Sequence, residues 1–469
     1  MKLEYSSAGN RGSRIDCLLL NPPDDFSRYP YLGLCLVAAV LRQRGIRVEI
    51  LDSTALGYSM QDILEYVSWK RPRIIGISVM SMMLRFCYAL IKQIRERFPD
   101  TIVVVGGAHI DADPGIVKEM PVHYGFYGEC ELSFAAFCKQ ILEGKTPTVG
   151  PGMIRRDGGE IIVGEEPAEQ NLDTLPIPAY DLLSLDKYFS PSTSLRTMSF
   201  ISSRGCPYNC AFCSKLRKRK YRFLSTDNAV AQLEVLINKY HVQWIEFVDE
   251  IFALNRERVF SLCNGISSSN LHFSWGMATR ADRIDEDLLL AVKEAGCRKV
   301  SFGIETGVER VRFAAHKKIT NEQITDAIAL CRKHGMKTMG DFIFGHPTET
   351  AQEMRDTVSF ARKCGLNYAY FNRMIPIPNS EVFEVAKASG QISQDAWIQF
   401  MKGQIPFPIY VPRGVSPEIV DRIYKRAWFE MYFWPPTLWR NRSVLTDPVR
   451  IWQTGRALAK SISDKRYKK

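Results

Sequence analysis

The chain has 469 residues, of which 46% are hydrophobic and 24% are charged, and its formal net charge is +11 at pH 7. This composition excludes a disordered or fibrous protein, and the length allows two or three domains with large cores. The 12 cysteines are too sparse for a disulfide scaffold and mostly scattered singly, which predicts a reducing, cytoplasmic location. The polar start of the chain predicts no signal peptide, and without eighteen consecutive apolar residues no transmembrane segment is expected.

The first 150 residues alternate between short apolar runs and helix-like patterns. The apolar runs predict buried strands at 15–20, 48–52, 74–79 and 101–105, with helices over 32–44 and 84–98. This alternation predicts an α/β fold, with a doubly wound Rossmann-like domain over residues 1–150 whose ligand lies beyond the carboxyl ends of the strands. The loops at those ends supply candidate binding residues: Asn21, Pro22, Ser78, Gly106, Gly107 and His109.

Residues 151–195 show no clear domain pattern, and their prolines predict an extended linker. A strand at 197–201 then leads into a run that contains Cys206, Cys210 and Cys213 with the spacing C-x3-C-x2-C. Pro207 and Asn209 between the cysteines favour a loop. One interpretation of the three cysteines is that they are buried structural residues, because free cysteine is among the most buried residue types.

The missing fourth cysteine makes this run informative. An electron-transfer 4Fe–4S cluster uses four thiolates, and a structural zinc site uses four protein ligands. The next Cys or His residues along the chain are His241 and Cys263, which are not nearby in sequence. Three thiolates in one loop would therefore leave one iron of a cluster open to bind another molecule.

Strand and helix patterns alternate again over residues 196–395. Strands are predicted at 197–201, 244–250, 273–280, 299–307, 338–347 and 368–372. This pattern predicts a partial (β/α)6 TIM-like barrel, which places its chemistry at the carboxyl ends of the strands. Residues 396–469 are rich in aromatic side chains and predict a helical cap; an apolar substrate lid or a peripheral membrane contact is the alternative.

The cysteine loop, with aromatic Phe212 before the last cysteine, resembles the cluster loop of radical S-adenosylmethionine (SAM) enzymes. The resemblance implies that the open iron binds the amino and carboxylate groups of SAM, whose reductive cleavage gives a 5′-deoxyadenosyl radical. It also implies cofactor-binding roles at the strand ends, for Asp249 and Glu250 with the SAM amino group, Arg280 with its carboxylate, Glu305 near SAM and Gly345 near the adenine. A strand-end cap or a salt bridge is the alternative role for each carboxylate, and the sequence assigns no catalytic acid or base, although His346 is a titratable candidate nearby.

The first domain resembles the cobalamin-binding domain that precedes many radical SAM barrels. The matching pieces include Asn21-Pro22-Pro23, Gly76-Ile77-Ser78, Gly106-Gly107-Ala108-His109 and Tyr127-Gly128-Glu129. Glycine in these loops lets the backbone approach a large flat ligand. The D-x-H-x-x-G motif that supplies a histidine to cobalt elsewhere is absent, so His109 is expected to contact cofactor or backbone rather than cobalt.

Together these resemblances imply a cobalamin-dependent radical SAM enzyme, similar to the class B methyltransferases, that methylates an unactivated carbon of a small molecule. Hydrophobic, natural-product, lipid or tetrapyrrole-like substrates are candidates. A cyclase or rearrangement enzyme with the same cofactors is the alternative. An RNA methylthiotransferase is less favoured, because Cys17 and Cys35 lie within a strand and a helix pattern.

The basic charge is partly local, in residues 215–222 after the cysteine loop and in the tail at 465–469. It favours an anionic substrate or a reducing electron donor such as flavodoxin or ferredoxin. A solvated basic face is an equally good interpretation, and no nucleic-acid partner is expected.

Overall fold

The computed structural model describes residues 14–24, 29–189, 195–214, 220–442, 455 and 459. The basic run at 215–219 and the basic tail at 465–469 lie outside the described residues, as does most of the predicted cap beyond residue 442. The chain divides into two compact units, one of residues 1–170 and 175–187 and the other of residues 171–174 and 188–469. Among the described helices, none is long and apolar enough to cross a membrane.

The first unit contains one seven-stranded sheet with the order β2-β1-β3-β4-β5-β6-β7. Its strands are β1 (Cys17–Asn21), β2 (Val48–Asp52), β3 (Ile74–Ser78), β4 (Ile102–Gly106), β5 (Tyr124–Phe126), β6 (Met153–Asp157) and β7 (Glu160–Val163). Its helices are α1 (Leu32–Gln43), α2 (Ser53–Leu56), α3 (Met60–Lys70), α4 (Leu84–Arg97), α5 (Ala108–Ala112) and α6 (Glu131–Leu142). Strands β1 to β5 pair in parallel, which confirms the doubly wound domain.

The linker predicted from residue 151 differs from the structure in its first part. Strands β6 and β7 form an antiparallel hairpin at the edge of the first sheet, and β6 pairs with β5. Most of the hairpin is exposed or half-buried. An edge hairpin of this kind lacks the continuous apolar run of a buried parallel strand, so the sequence pattern did not reveal it.

The second unit contains a six-stranded sheet with the order β15-β14-β13-β12-β11-β8. Its strands are β8 (Thr197–Phe200), β11 (Trp244–Phe247), β12 (Ser274–Thr279), β13 (Cys297–Glu305), β14 (Lys337–Phe344) and β15 (Tyr368–Arg373); the short strands β9 (Ser203–Arg204) and β10 (Arg222–Phe223) pair separately. All neighbouring strands in the six-stranded sheet are parallel, which confirms the partial (β/α)6 barrel.

Helices follow the strands of this sheet and continue beyond it. They are α7 (Thr226–Glu234), α8 (Arg256–Ser268), α9 (Glu286–Glu294), α10 (Glu309–Ala314), α11 (Asn321–Lys333), α12 (Ala351–Lys363), α13 (Glu381–Ala388), α14 (Ala396–Met401), α15 (Pro417–Tyr432) and α16 (Pro435–Arg440). Capping boxes begin α11 and α12, where Thr320 pairs with Gln323 and Thr350 with Glu353. The described end of the chain is therefore helical, as the sequence predicted.

The two faces of the barrel sheet differ in chemistry. In β14, Phe342 and Phe344 are fully buried and stack on Phe371 of the neighbouring strand, whereas Asp341 and Ile343 alternate with them and are only partly covered. Because successive side chains of a strand point to opposite faces, one face is an apolar layer and the other is the inner face of the half barrel. The apolar face supplies packing, and the inner face carries polar groups.

Candidate active site and cofactor pocket

The three cysteines of the triad lie in a loop without helix or strand that follows β9. Each is partly buried, and burial raises the pKa of the Cys210 thiol while Lys317 opposes that change. Within the described residues, the thiols are not gathered into a ready metal-binding group, and no His, Asp or Glu completes one with them. The donor set itself fits an iron–sulfur cluster, because thiolates are the ligands that such clusters use.

The backbone and aromatic residues of this loop are anchored to the barrel. The Ala211 N–H donates to the carbonyl of Ala315, and the Ala211 carbonyl accepts from Val382 N–H, at 3.1 Å in both cases. Phe212 packs against the buried cluster that contains Met374 and Val382. The aromatic residue of the motif therefore fixes the loop between Cys210 and Cys213.

A second anchor forms around Tyr208. The Arg280 guanidinium lies over its ring, 3.9 Å from the centroid, and the Arg283 Nε donates to its hydroxyl at 3.1 Å. Arg280 also donates two hydrogen bonds to the Asp282 carboxylate, each 3.0 Å long. The structure thus gives Arg280 a positioning role beside the cysteine loop, and its predicted contact with the SAM carboxylate stays a prediction.

Asp249 and Glu250 follow β11, but their environments differ. Asp249 is buried, and it accepts hydrogen bonds from Ser202 N–H at 3.1 Å, from the Ser202 hydroxyl at 3.0 Å and from the Ser203 hydroxyl, with Arg258 3.9 Å away. Burial raises the pKa of Asp249, whereas Arg258 and the serine hydroxyls oppose the change. Glu250 is half-buried and makes no hydrogen bond or ion pair within the described residues, so it is the better placed of the two to accept from a ligand.

Glu305 ends β13 in a left-handed conformation with φ +68°. The residue is 7% exposed, and its Oε1 accepts from Lys317 Nζ at 2.5 Å. A left-handed backbone is unfavourable for a residue with a side chain, and it persists only where the surroundings impose it. Arg312 supplies that constraint, since its guanidinium donates to the carbonyls of Ile304 and Thr306 on either side of Glu305.

Gly345 shapes the loop after β14. Its φ is +97°, and its N–H donates to the Glu349 carboxylate at 2.8 Å, as the His346 N–H does at 3.1 Å. Burial raises the pKa of Glu349 to about 7 and lowers the pKa of His346 to about 4. The His346 ring, which is edge-on to Phe212 at 5.9 Å between centroids, is therefore neutral near pH 7.

Sequence reasoning missed four polar groups on the inner face: Glu246, Lys299, Lys317 and Asp341. Lys299 Nζ pairs with the Glu246 carboxylate at 2.8 Å. Three of the four residues alternate with apolar residues inside predicted strands, so the two-residue period of a strand was a signal that could have marked them.

The first unit contains a cavity of about 200 Å³, lined by side chains of α1 and α6 and by the carboxyl ends of the parallel strands. Ser78, Gly106 and Gly107, three of the candidate cofactor-binding residues, line it together with aromatic residues such as Tyr31 and Phe134. Gly107 has φ +98°, and a Cβ there would lie 2.9 Å from Val79 N. The backbone at this point can adopt its close approach only with glycine, which fits a loop that borders a large ligand.

The other residues predicted around this cavity have structural contacts. The Asn21 side-chain amide donates to Asp52 at 2.9 Å, and its Oδ1, which is buried, has no partner among the described residues. The carbonyl of Pro22 accepts from the Thr54 hydroxyl, and Glu129 accepts from Gln170 N–H. Their cofactor contacts stay predictions.

His109 is fully buried, with its Nδ1 2.9 Å from the Ser81 hydroxyl. Burial lowers the pKa of His109 to about 3, so its ring is neutral at pH 7. This histidine therefore forms part of the loop structure, and its expected contact with a cofactor stays a prediction.

Comparisons with known proteins agree with this division of the chain. The family model of the B12 binding domain matches residues 26–138, and that of the radical SAM superfamily matches residues 200–361. An uncharacterized methyltransferase of Pyrococcus horikoshii is 30% identical over 87% of this chain and 89% of its own length. The anaerobic magnesium-protoporphyrin IX monomethyl ester cyclase of Rubrivivax gelatinosus is 26% identical over 86% of this chain and 75% of its own length.

A solved structure supports the fold. The radical SAM methyltransferase TsrM from Kitasatospora setae, with cobalamin and a [4Fe–4S] cluster bound, has a TM-score of 0.71 at 18% identity, covering 94% of this chain and 100% of its own. A 4Fe–4S cluster, SAM and cobalamin, the cofactors expected from the sequence, are those of the two matched families. The chain is therefore an enzyme that belongs to the radical SAM superfamily, among the methyltransferase-like members that carry an N-terminal B12-binding domain.

Proposed function

We propose that this enzyme methylates an unactivated carbon of a small-molecule substrate and depends on cobalamin. The observation that carries the proposal is the cysteine triad, with three thiols in one loop that is anchored to the barrel on both sides of Ala211. When bound, the cluster and SAM supply a radical that removes hydrogen from carbon, and cobalamin supplies the methyl group. The 30% identical methyltransferase relative supports transfer of a methyl group.

The residues of the barrel have distinct proposed tasks. Cys206, Cys210 and Cys213 hold the cluster, and Phe212 holds their loop in place. Glu250 accepts from the SAM amino group, since its carboxylate has no partner among the described residues. Gly345, fixed by the Glu349 carboxylate, presents a loop to the adenine. These positions orient the reactants, which is the main service a protein gives to radical cofactors.

In the first unit we propose that the cavity beside Gly106 and Gly107 receives cobalamin. Its walls are largely apolar, and the glycine loop allows a close backbone approach. The neutral, buried His109 supports a role in the loop rather than as a cobalt ligand.

A cyclase or rearrangement enzyme with the same cofactors is the second candidate, favoured by the 26% identical cyclase relative. An RNA methylthiotransferase finds less support, because Cys17, Cys35 and Cys87 are each fully buried within β1, α1 and α4 rather than together in a loop. We further propose that flavodoxin or ferredoxin supplies electrons and that the enzyme works in the cytoplasm, which suits twelve free thiols.

The test is to measure cobalt and iron in protein produced with cobalamin and reconstituted anaerobically, with Cys210→Ala as the variant. Cys263→Ala, which removes a buried thiol of α8, is the matched control. We expect about four irons and one cobalt per chain, with iron lost in Cys210→Ala alone. Iron without cobalt would contradict the cobalamin-dependent methyl transfer, and equal iron loss in both variants would contradict the cluster loop.

A further inference from the structure

Three exposed aromatic residues occur close together in sequence near the described end of the second unit. Phe429 and Phe433 on helix α15 are 58% and 54% exposed, and Trp439 on helix α16 is 69% exposed. The other exposed large hydrophobic residues in the described part of the chain are at most 45% exposed, and they are scattered over both units. Single exposed hydrophobic residues are ordinary, whereas a group of them indicates a surface that contacts another molecule. We call these three residues the aromatic segment.

The two phenylalanines lie on one face of α15. Their rings stack with 4.5 Å between centroids. Arg422 and Arg426 precede them at the spacing i, i+4, i+7 and i+11, which is that of a single helix face. All four residues are exposed, whereas Trp428 on the opposite face is buried. Helix α15 therefore packs with one apolar face onto its own unit and presents arginines followed by aromatic rings to solvent.

Positive charge exceeds negative charge along this helix. Two of its carboxylates each pair with two cations: Glu430 with Arg362 and Arg426, and Asp421 with Arg373 and Lys425. Each of these groups therefore keeps a net positive charge. Arg422 adds another, since it makes no ion pair within the described residues. The remaining carboxylate of α15, Glu418, is in its first turn, roughly 16 Å along the helix axis from Phe429.

Positive charge also accompanies the aromatic segment on its other side. The Arg442 guanidinium lies over the Trp439 ring, 4.9 Å from its centroid. The sequence then continues to the basic end Lys465-Arg466-Tyr467-Lys468-Lys469. The aromatic segment therefore lies between basic residues in sequence.

This combination of groups fits an anionic lipid surface. Phenylalanine and tryptophan side chains enter the boundary between headgroups and acyl chains, and arginine and lysine are attracted to the anionic headgroups around them. A second copy of the chain fits less well, because a symmetric contact would bring the same excess of positive charge to both sides of the interface.

We propose that the aromatic segment and the arginines of α15 bind this enzyme to an anionic lipid membrane, with the helix lying on the surface. The inference goes beyond the proposed function and holds equally for a methyltransferase and for a cyclase. A chain bound in this way has access to apolar molecules that partition into lipid.

The test is sedimentation of the full chain, reconstituted anaerobically, with vesicles. One set contains phosphatidylcholine alone, and the other also contains about 30% phosphatidylglycerol, both in about 0.1 M NaCl. We expect the wild type to bind the anionic vesicles at least about tenfold more tightly. Phe429→Ser combined with Phe433→Ser should weaken that binding by about tenfold or more, because two rings no longer enter the lipid. Arg422→Gln combined with Arg426→Gln should remove most of the preference for anionic lipid.

The matched control for the aromatic change is Phe313→Ser, at an exposed phenylalanine of helix α10. The control for the charge change is Arg355→Gln combined with Lys363→Gln, at two exposed cations of α12. Both controls should bind vesicles as the wild type does, and melting temperature and iron content show that every variant is folded and loaded.

Equal binding of the wild type to both kinds of vesicle, or to neither, would overturn the proposal. So would equal vesicle binding by the Phe429/Phe433 variant and by Phe313→Ser. A wild-type dimer that becomes a monomer in the Phe429/Phe433 variant, with no vesicle binding by either, would assign the face to contact between copies. Cobalt content and methyl transfer report separately on the proposed function.

Discussion

Arg312 offers a sharp test of how the barrel holds the residues at the end of β13. It is fully buried, and its guanidinium donates to the carbonyls of Ile304 at 3.3 Å, Ile319 at 2.7 Å and Thr306 at 2.5 Å and to the Asn321 side-chain oxygen at 2.7 Å. Burial lowers the pKa of Arg312 to about 10. We therefore expect Arg312→Met to remove four hydrogen bonds and leave their acceptors buried.

Each hydrogen bond from a charged donor contributes about 1.5–3 kcal/mol, but the four share one side chain and do not add. Methionine refills part of the volume and avoids the desolvation cost of the charge. The expected loss is therefore that of leaving several buried acceptors without a donor, about 3–5 kcal/mol in total. At roughly 2 °C per kcal/mol for a unit of this size, the melting temperature should fall by about 6–10 °C.

The matched control lies two residues away on the same helix. Arg310 is 55% exposed in its side chain and pairs with Glu353 at 2.7 Å, so Arg310→Met should cost only about 0–1 kcal/mol. Both variants are compared by anaerobic thermal unfolding, with hydrogen exchange at residues 304–307 as the local readout. If Arg312→Met melts within about 2 °C of Arg310→Met, with the same local exchange, Arg312 does not constrain Glu305.

Further predictions concern the inner face, the loop after β14 and the first unit. Gly276→Ala should lower stability by only about 1 kcal/mol in urea unfolding, because its Cβ would displace the flexible ends of the paired Lys299 and Glu246 side chains. Glu349 stays protonated in the folded chain up to about pH 7, so it should lower the free energy of unfolding by up to about 3 kcal/mol between pH 5 and pH 8. Glu349→Gln, which has no carboxyl proton to lose, should lack this contribution to the fall. Gly107→Ala should lower cobalt content and melting temperature more than Gly57→Ala, since both have positive φ but nothing lies within 4 Å of a Cβ at Gly57.

The parts of the fold that the sequence could predict are those that local patterns specify. A continuous apolar run such as Leu18–Leu20 marks a buried parallel strand wherever it occurs, and β1 is fully buried. The hairpin of β6 and β7 was missed because apolar and polar residues alternate only weakly along it. It also depends on pairing with β5, which is distant in sequence. The cysteine triad was visible because its motif is defined by the spacing of three residues within one short loop.

The contacts of the site were harder to predict because they depend on partners from other elements. Arg280 was expected to bind the SAM carboxylate, yet in the structure Asp282 accepts from its guanidinium and Tyr208 lies beneath it. The R-x-D spacing is visible in the sequence, but the contact with Tyr208 appears only when the cysteine loop folds back onto β12. Lys317 likewise pairs with Glu305, although helix α10 lies between the two residues in sequence. No local sequence pattern indicates this pair.

The two faces of the barrel sheet should differ in how strongly their substitution changes stability. Phe342 and Phe344 hold β14 to its neighbours on the apolar face, whereas Asp341 and Ile343 point to the other face. Substitutions at the phenylalanines should therefore alter the free energy of unfolding, because they leave cavities in a packed layer. Asp341 is only partly covered and makes no hydrogen bond or ion pair within the described residues, so Asp341→Asn should change the free energy of unfolding less than Phe342→Ala does.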